Sequence, residues 1–205
     1  MRSEGNKEVS ENRIKGVALD RLWGRFFFFP TASTFLVDTK GMRSALLEAI
    51  PELGSVNIQR EFPDMLVVAV QEREMVALWC QELRCVAIDK EGVVFREAES
   101  SLKSITIRGQ GRSLNLREAV LKKEVLGTIM EFAKEAKRRS LFGEGEPSFD
   151  IVSDTQIHAR TKDGWSVYFT HTQDLSWQIT KLQTVLENKI PLEKNRRNNR
   201  FLRYK

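Results

Sequence analysis

Two apolar runs separated by a charged stretch stand out in residues 63–80 of this 205-residue chain, PDMLVVAVQEREMVALWC. Leu66, Val68 and Val70 occupy every second position, which places them on one face of a β-strand. The charged stretch 71–74 then ends the first apolar run before a second one begins. The pattern predicts two strands joined at a charged corner, so the fold must contain at least one sheet.

Helical periodicity dominates the residues upstream of these strands. Ser10 is placed to cap a first helix, and Asp38 to cap a second helix that ends before Pro51. A further alternating run leads into a turn at residues 62–64, which predicts a β-hairpin with the strand described above. Residues 6–71 therefore predict the order helix, helix, strand, strand, with a vestige of a strand before the first helix.

Short strands become the dominant pattern after the charged corner. The predicted strands are VALWC, CVAID, VVF, SITIR, QIHART and WSVYF. Asn115 and Glu118 have the spacing of a capping box, which predicts the start of a long amphipathic helix. The apolar stripe of this helix is Leu121, Val125, Ile129, Phe132 and Ala136, and that of a last helix is Leu175, Ile179, Leu182 and Leu186. The predicted fold class is α+β.

The composition indicates a folded chain whose charge is spread over its surface. Hydrophobic residues make up 41% of the sequence, too much for a disordered chain, and the net charge is +5 with a pI near 9.3. This charge suits an acidic partner, a nucleic acid or an anionic membrane. Acids and bases are interspersed, however, and Trp165, Tyr168 and Phe169 lie in a strand without basic neighbours, which disfavours nucleic-acid binding. No apolar run reaches the ~20 residues that cross a bilayer, and none resembles a signal peptide.

The sequence does not show a catalytic or metal-binding motif. His158 and His171 are isolated, and the Gly-rich residues 108–112 lack the Lys-Ser/Thr of a phosphate-binding loop. Glu72 and Glu74 flank an arginine in what reads as a solvated corner, so they do not indicate a general acid and base. We therefore expect a protein that is not an enzyme, with no catalytic residues, no cofactor and no metal site.

Cys80 and Cys85 are the two cysteines of the chain, at the inner ends of two predicted strands joined by four residues. They lack the second Cys or His pair of a zinc site. Positions that face each other across a hairpin can carry a disulfide, so a disulfide is the favoured interpretation, and two reduced boundary cysteines are the alternative. A disulfide would imply an oxidising compartment.

Two motifs in a fixed order give the chain a resemblance to a known family. The first, FPDMLVVAVQEREMVA, contributes Phe62, Pro63, Leu66, Val68, Val70, Glu72, Arg73, Val76 and Ala77; the second, IDKEGVVF, contributes Ile88, Asp89, Gly92 and Phe95. Together with EGNKEVSENRI, FLVD, DGWSVYF and QITKLQTVLENKI, they resemble the bacterial cell-division protein family FtsQ, called DivIB in Gram-positive bacteria. The resemblance covers nearly the whole chain, but the family's usual ending, Y-I-D-L-R-F, is not visible.

The resemblance implies two domains and a membrane anchor. Residues 1–74 would form a POTRA domain of two helices and a hairpin, with its first strand largely missing. Residues 75–205 would form an FtsQ-type mixed β-sheet domain with flanking helices, and the charged corner would be the exit from one domain into the other. The family carries one transmembrane helix before the POTRA domain, which is absent from this chain. The resemblance therefore implies a single-pass protein of the cell membrane, with this chain on the extracytoplasmic side at the division septum.

The resemblance also implies a function as a non-enzymatic scaffold of the divisome. In the family, this scaffold recruits small membrane-anchored coiled-coil proteins of the FtsB/DivIC and FtsL type and links them to septal peptidoglycan synthesis. Neither a nucleic acid nor a small-molecule ligand is expected as a partner. Two alternatives stay open: a POTRA module of a secretion or outer-membrane assembly system, and a basic nucleic-acid-binding domain.

Two sets of residues are the candidate sites. The hairpin motif of the POTRA domain comprises Arg60, Phe62, Pro63, Leu66, Glu72 and Arg73. The tail RFLRYK alternates, which predicts a last strand at a sheet edge that a partner strand could extend by β-augmentation. The candidate partner-binding residues of this tail are Arg200, Phe201, Leu202, Arg203, Tyr204 and Lys205. A disordered basic terminus is the alternative for the tail.

Overall fold

The structure is a computed structural model that divides into two compact units, Met1–Glu74 and Met75–Lys205. The residues that it describes are 1–23, 37–63, 65–100, 102, 104–109, 114–142, 147–153, 155–162, 164–189 and 201–202. These residues contain four helices and two mixed sheets. The predicted α+β class is therefore confirmed.

The first unit consists of a short strand, two helices and a hairpin. In chain order its elements are β1 (Arg2–Glu4), α1 (Glu11–Trp23), α2 (Thr39–Ala49), β2 (Leu53–Glu61) and β3 (Met65–Glu72). The described strands form one sheet in the order β1-β3-β2, in which β1 runs parallel to β3 and β2 runs antiparallel to it. The predicted order of helices and hairpin is confirmed, and the strand before them is three residues long.

Both helices of the first unit begin at the predicted capping residues. The backbone N–H of Arg13 donates to the hydroxyl of Ser10 at 3.3 Å, and the N–H of Gly41 donates to the carboxylate of Asp38 at 2.9 Å. Such side chains satisfy N–H groups that the first turn of a helix leaves without an intrahelical acceptor. Short polar residues before each apolar stripe therefore fix where the helices start.

The alternation in β3 builds the core of the first unit. Leu66, Val68 and Val70 are buried, whereas Met65 and Gln71 are exposed. Apolar residues of α1, α2 and β2 pack against the buried face of this strand, because each element turns its apolar side away from water. The other members of this core are Val9, Ile14, Ala18, Met42, Leu46, Ile50, Leu53, Val56 and Ile58.

The second unit is a mixed sheet with two helices. Its elements are β4 (Ala77–Gln81), β5 (Arg84–Ile88), β6 (Val94–Ala98), β7 (Thr106–Arg108), α3 (Lys123–Arg138), β8 (Ser148–Ile151), β9 (Gln156–Arg160), β10 (Ser166–Thr170), α4 (Leu175–Lys189) and β11 (Phe201–Leu202). The described strands follow the order β11-β10-β9-β8-β7-β4-β5-β6. Three neighbouring pairs are parallel, namely β4 with β7, β7 with β8, and β10 with β11, and the others are antiparallel.

One face of the second sheet is apolar and is covered by α3 and α4. Trp79, Phe149 and Phe169 of the sheet lie in one buried cluster with Phe132 of α3 and Leu182 of α4. The rings of Phe132 and Phe169 are stacked with their centres 4.2 Å apart. Aromatic side chains bury large apolar areas, so this cluster is the main source of hydrophobic stabilisation that the unit shows.

The start of α3 differs from the prediction. Asn115 and Glu118 are hydrogen-bonded through their side chains at 3.2 Å, but the helix begins at Lys123. The N–H of Val94 in β6 donates to the carbonyl of Glu118 at 3.0 Å, so the backbone of this segment pairs with a strand and does not start a helix. The capping-box prediction is therefore wrong, and Leu121 is buried ahead of the helix.

Candidate interaction surfaces

The charged corner at the end of β3 is a hydrogen-bonded junction. The carboxylate of Glu72 accepts from the backbone N–H of Lys7 at 2.6 Å, of Glu8 at 2.9 Å and of Val9 at 2.9 Å. Desolvation raises the pKa of Glu72, but these backbone hydrogen bonds outweigh it and hold the pKa below its ordinary value. Glu72 is half-buried in this corner. The sequence does not predict its hydrogen bonds, because its donors lie up to 65 residues earlier in the chain.

Two arginines of the hairpin motif also make hydrogen bonds within the first unit. The backbone N–H of Arg73 donates to the carbonyl of Glu52 at 2.7 Å. The guanidinium of Arg60 donates to the carbonyl of Val37 at 2.7 Å. Both contacts join the hairpin to the segments on either side of α2, so these arginines support the fold of the unit.

The turn of this hairpin carries the exposed apolar part of the motif. Phe62 is 76% exposed and is joined to Pro63 by a cis peptide bond. Met65, at the start of β3, is exposed as well, whereas Leu66 is buried in the core. Of the motif residues, Leu66 is thus buried and Glu72 and Arg73 are half-buried, whereas the others are exposed.

Cys80 and Cys85 face each other across the hairpin of β4 and β5. They are register partners, and the structure joins their sulfur atoms in a disulfide bond. The strands extend beyond the cysteines to Gln81 and Arg84, so the hairpin closes in a tighter turn than the four-residue connection that the sequence predicts. Leu83 lies in this turn and is 99% exposed.

Among the described strands, β11 forms one edge of the second sheet. β11 runs parallel to β10, with Phe201 opposite Ser166 and Leu202 next along the ladder. An edge strand presents backbone N–H and C=O groups on its outer side. Arg200 and residues 203–205 of the predicted tail site lie outside the described residues, so the alternation of their side chains stays a prediction.

A polar row crosses the sheet face opposite α3 and α4. The strand register places Arg108, Asp150, His158 and Tyr168 side by side on β7, β8, β9 and β10. The rings of His158 and Tyr168 lie 3.7 Å apart between centres, and Arg160 forms an ion pair with Asp150. The strand of Tyr168 contains no Lys or Arg of its own, and its polar neighbours His158 and Arg160 come from the adjacent strand. The matching alternation of the two strands is the signal that could have revealed this row.

The described part of the chain brings together no group of three His, Cys, Asp or Glu side chains that could hold a metal ion. Within the same ranges, no helix combines the length and the apolar character needed to cross a membrane.

The first unit has the architecture of a POTRA domain, with a short strand, two helices and a hairpin that share one sheet in the described residues. The family model of the POTRA domain of the FtsQ type matches residues 4–73, which lie within this unit. The chain carries an FtsQ-type POTRA domain, and the predicted resemblance to the FtsQ/DivIB family is confirmed there. This domain relates the protein to bacterial cell division. No curated protein matches the chain.

Proposed function

We propose that the protein is a non-enzymatic scaffold of the bacterial divisome that acts outside the cytoplasm. The observation that carries the proposal is the FtsQ-type POTRA domain at residues 4–73. In this proposal, residues 1–74 dock other division proteins and residues 75–205 are the FtsQ-type β-domain. The protein is anchored to the cell membrane in a single pass at the septum, with residues 1–205 on the extracytoplasmic side.

The proposed partners are small membrane-anchored coiled-coil proteins of the FtsB/DivIC and FtsL type, which the scaffold links to septal peptidoglycan synthesis. The edge position of β11 supports a binding mode by strand addition. A partner strand gains affinity there through main-chain hydrogen bonds, while alternate side chains give specificity. Arg200, Arg203 and Lys205 would attract acidic residues of the partner and raise the association rate more than the affinity.

The disulfide between Cys80 and Cys85 supports the extracytoplasmic part of the proposal. Disulfides persist in oxidising compartments and are rare where thiols are kept reduced. Protein exported in its native cell should therefore take up thiol-alkylating reagent only after reduction, as read by intact mass. Alkylation of both cysteines without reduction would contradict this part of the proposal.

Deletion of residues 201–205 tests the partner-binding edge. The FtsB/DivIC-type protein encoded in the same genome should co-purify with the intact chain and be lost from the deletion variant. Thermal unfolding of the first unit should not change, because the deleted residues belong to the second unit. Leu83→Ser, which alters an exposed residue of the β4–β5 hairpin in the same unit, is the matched control and should retain the partner. Full retention by the deletion variant would refute the edge as the binding site.

A further inference from the structure

A groove in the second unit lies between the end of β10 and the start of α4. It has a volume of about 440 Å³, a size that is common for ligand-binding pockets. Phe132, Val167 and Phe169 line it but are only 1%, 3% and 4% exposed, whereas Trp177 of α4 lines it and is 56% exposed. The indole ring of Trp177 is therefore the main apolar surface that the groove offers to a ligand.

Neutral polar side chains complete the lining of the groove. Thr155, Gln156 and Gln173 line it and are exposed or half-buried. In the described part of the chain, the hydrogen bonds of these three residues use their own backbone atoms. Their side-chain groups are therefore open to a ligand, and each of the two amides offers both a donor and an acceptor.

The charge of the groove is already engaged within the protein. Among the described residues that line it, none carries a carboxylate, and Lys181 is the one cation. The Nζ atom of Lys181 lies 4.8 Å from the centre of the Trp177 ring, within the range of a cation–π contact. Recognition of a ligand therefore has to come from the exposed part of the ring and from the neutral polar groups.

We propose that the groove binds a neutral oligosaccharide of N-acetylated hexosamine units. A pyranose ring has a flat face of C–H groups that packs on an aromatic ring, and it has a rim of hydroxyl groups that need hydrogen-bond partners. Trp177 supplies the aromatic ring, and Thr155, Gln156 and Gln173 supply the partners. The acetamido group of the sugar carries one N–H and one C=O, which match the two glutamine amides.

The groove suits a peptide less well than a sugar. An apolar side chain of a peptide gains most when it fills a desolvated pocket, but the apolar floor of this groove is nearly inaccessible. An acidic side chain would need a cation that is not already in contact with the protein, and Lys181 is in contact with Trp177. The proposal goes beyond the proposed scaffold function, whose partners are proteins, and it does not depend on the β11 edge.

Nuclear magnetic resonance of the nitrogen-15-labelled chain tests the proposal with two neutral tetrasaccharides. Chitotetraose consists of N-acetylglucosamine units, and cellotetraose, the matched ligand, consists of glucose units without the acetamido groups. Chitotetraose should shift the Trp177 indole and the Gln156 and Gln173 amides with a Kd below about 1 mM, and cellotetraose should bind about tenfold more weakly. Because the ligand is neutral, its Kd should change by less than about twofold between about 50 mM and about 500 mM salt.

Variants of exposed residues sharpen this test without changing the core. Trp177→Ala should weaken chitotetraose binding by about tenfold or more, and Trp177→Phe, which keeps an aromatic ring, should restore part of the affinity. Gln173→Ala should weaken binding by about threefold or more. Leu83→Ser alters an exposed residue outside the groove and should leave the affinity unchanged, which makes it the control. The dispersion of the amide spectrum checks that each variant is folded.

Four results would overturn the proposal: no shift in the groove with either saccharide up to about 10 mM, equal affinities for the two saccharides, unchanged binding in both Trp177→Ala and Gln173→Ala, or tighter binding of a capped glycine–serine peptide that carries a leucine. The last result would assign the groove to a protein partner. Co-purification of the division partner with the intact chain and its loss on deletion of residues 201–205 are measured separately, so failure of the groove and failure of the proposed function are distinguishable.

Discussion

The side chains of Glu72 and Gln178 both form hydrogen bonds with backbone groups of other segments. The two side chains use different chemistry to do so. Glu72 is an anion that only accepts hydrogen bonds, and it meets the consecutive N–H groups of residues 7–9. Gln178 both accepts and donates, and it meets the N–H and the C=O of Thr170 at the side of β10. A carboxylate suits a cluster of donors, whereas an amide can imitate a strand.

The difference shows what each unit requires of a polar side chain. In the first unit, Glu72 joins the segment between β1 and α1 to the end of β3, so it connects the two ends of the unit. In the second unit, Gln178 bonds to both backbone groups of Thr170, so it joins α4 to the end of β10. Both roles concern stability, but the first joins two distant backbone segments and the second joins a helix to a strand.

The largest effect is expected from Val68→Asp, which tests whether the first unit depends on its core more than on Glu72. Val68 is fully buried, so an aspartate there would place an unpaired charge in the core. The free energy of unfolding of the first unit should fall by about 3–5 kcal/mol, measured by urea denaturation and amide exchange. Val67→Asp, on the opposite face of the same strand, is the matched control and should have a smaller effect. Unchanged stability of Val68→Asp would show that the assumed face of β3 is wrong.

Alternation and capping could be predicted because each depends on neighbours along the chain. The burial of Val68 follows from a period of two residues, and the caps at Ser10 and Asp38 act within one helical turn. The start of α3 could not be predicted in this way. Asn115 and Glu118 have capping-box spacing, but the backbone of Glu118 pairs with β6, and this long-range contact overrides the local preference.

The candidate surfaces could be predicted only in part, for the same reason. The alternation of the tail predicts a strand at Phe201, and the structure has one there. The pairing of that strand with β10 depends on the order of strands in space, which no local pattern encodes. The donors to Glu72 are 63 to 65 residues away in sequence, and the role of Gln178 requires knowing which strand ends beside α4.

Glu72→Ala should have the next largest effect, because three backbone N–H groups lose a charged acceptor. The free energy of unfolding of the first unit should fall by about 1–3 kcal/mol, measured by urea denaturation. Glu74→Ala is the matched control. Glu74 is exposed and its ion pair with Lys7 spans 3.7 Å, and surface pairs of this kind contribute about 0–1 kcal/mol. Equal effects of the two substitutions would contradict the junction at Glu72.

Gln178→Leu should have a smaller effect, because water can replace the amide at the side of a strand. We expect a loss of about 0.5–1.5 kcal/mol in the second unit and faster hydrogen exchange of the Thr170 amide. Gln178→Glu keeps an acceptor for the Thr170 N–H but places a carboxylate oxygen against the Thr170 carbonyl, so it should destabilise at least as much. Unchanged Thr170 exchange in the leucine variant would show that Gln178 does not protect this strand.

The smallest expected effect is a pH dependence that separates the two side chains. The pKa of Glu72 in the folded protein lies below the ordinary value of 4.5, so the unfolded state binds more protons as the pH falls. The stabilisation from the charged carboxylate is complete above the unfolded pKa and is lost as the pH falls through the lowered pKa of the folded state. The difference in unfolding free energy between wild type and Glu72→Gln should therefore stay constant from about pH 7 to about pH 5 and shrink at lower pH.

Gln178 provides the control for this pH dependence, because its amide does not titrate. The difference in unfolding free energy between wild type and Gln178→Leu should stay constant over the same pH range. Other carboxylates with lowered pKa values, such as Glu11 and Glu135, are present in wild type and in both variants, so their titration cancels in each difference. If the Glu72→Gln difference does not shrink on acidification, then the charge of Glu72 contributes nothing to the junction, and the amide of a glutamine would serve there as well as it does beside Thr170.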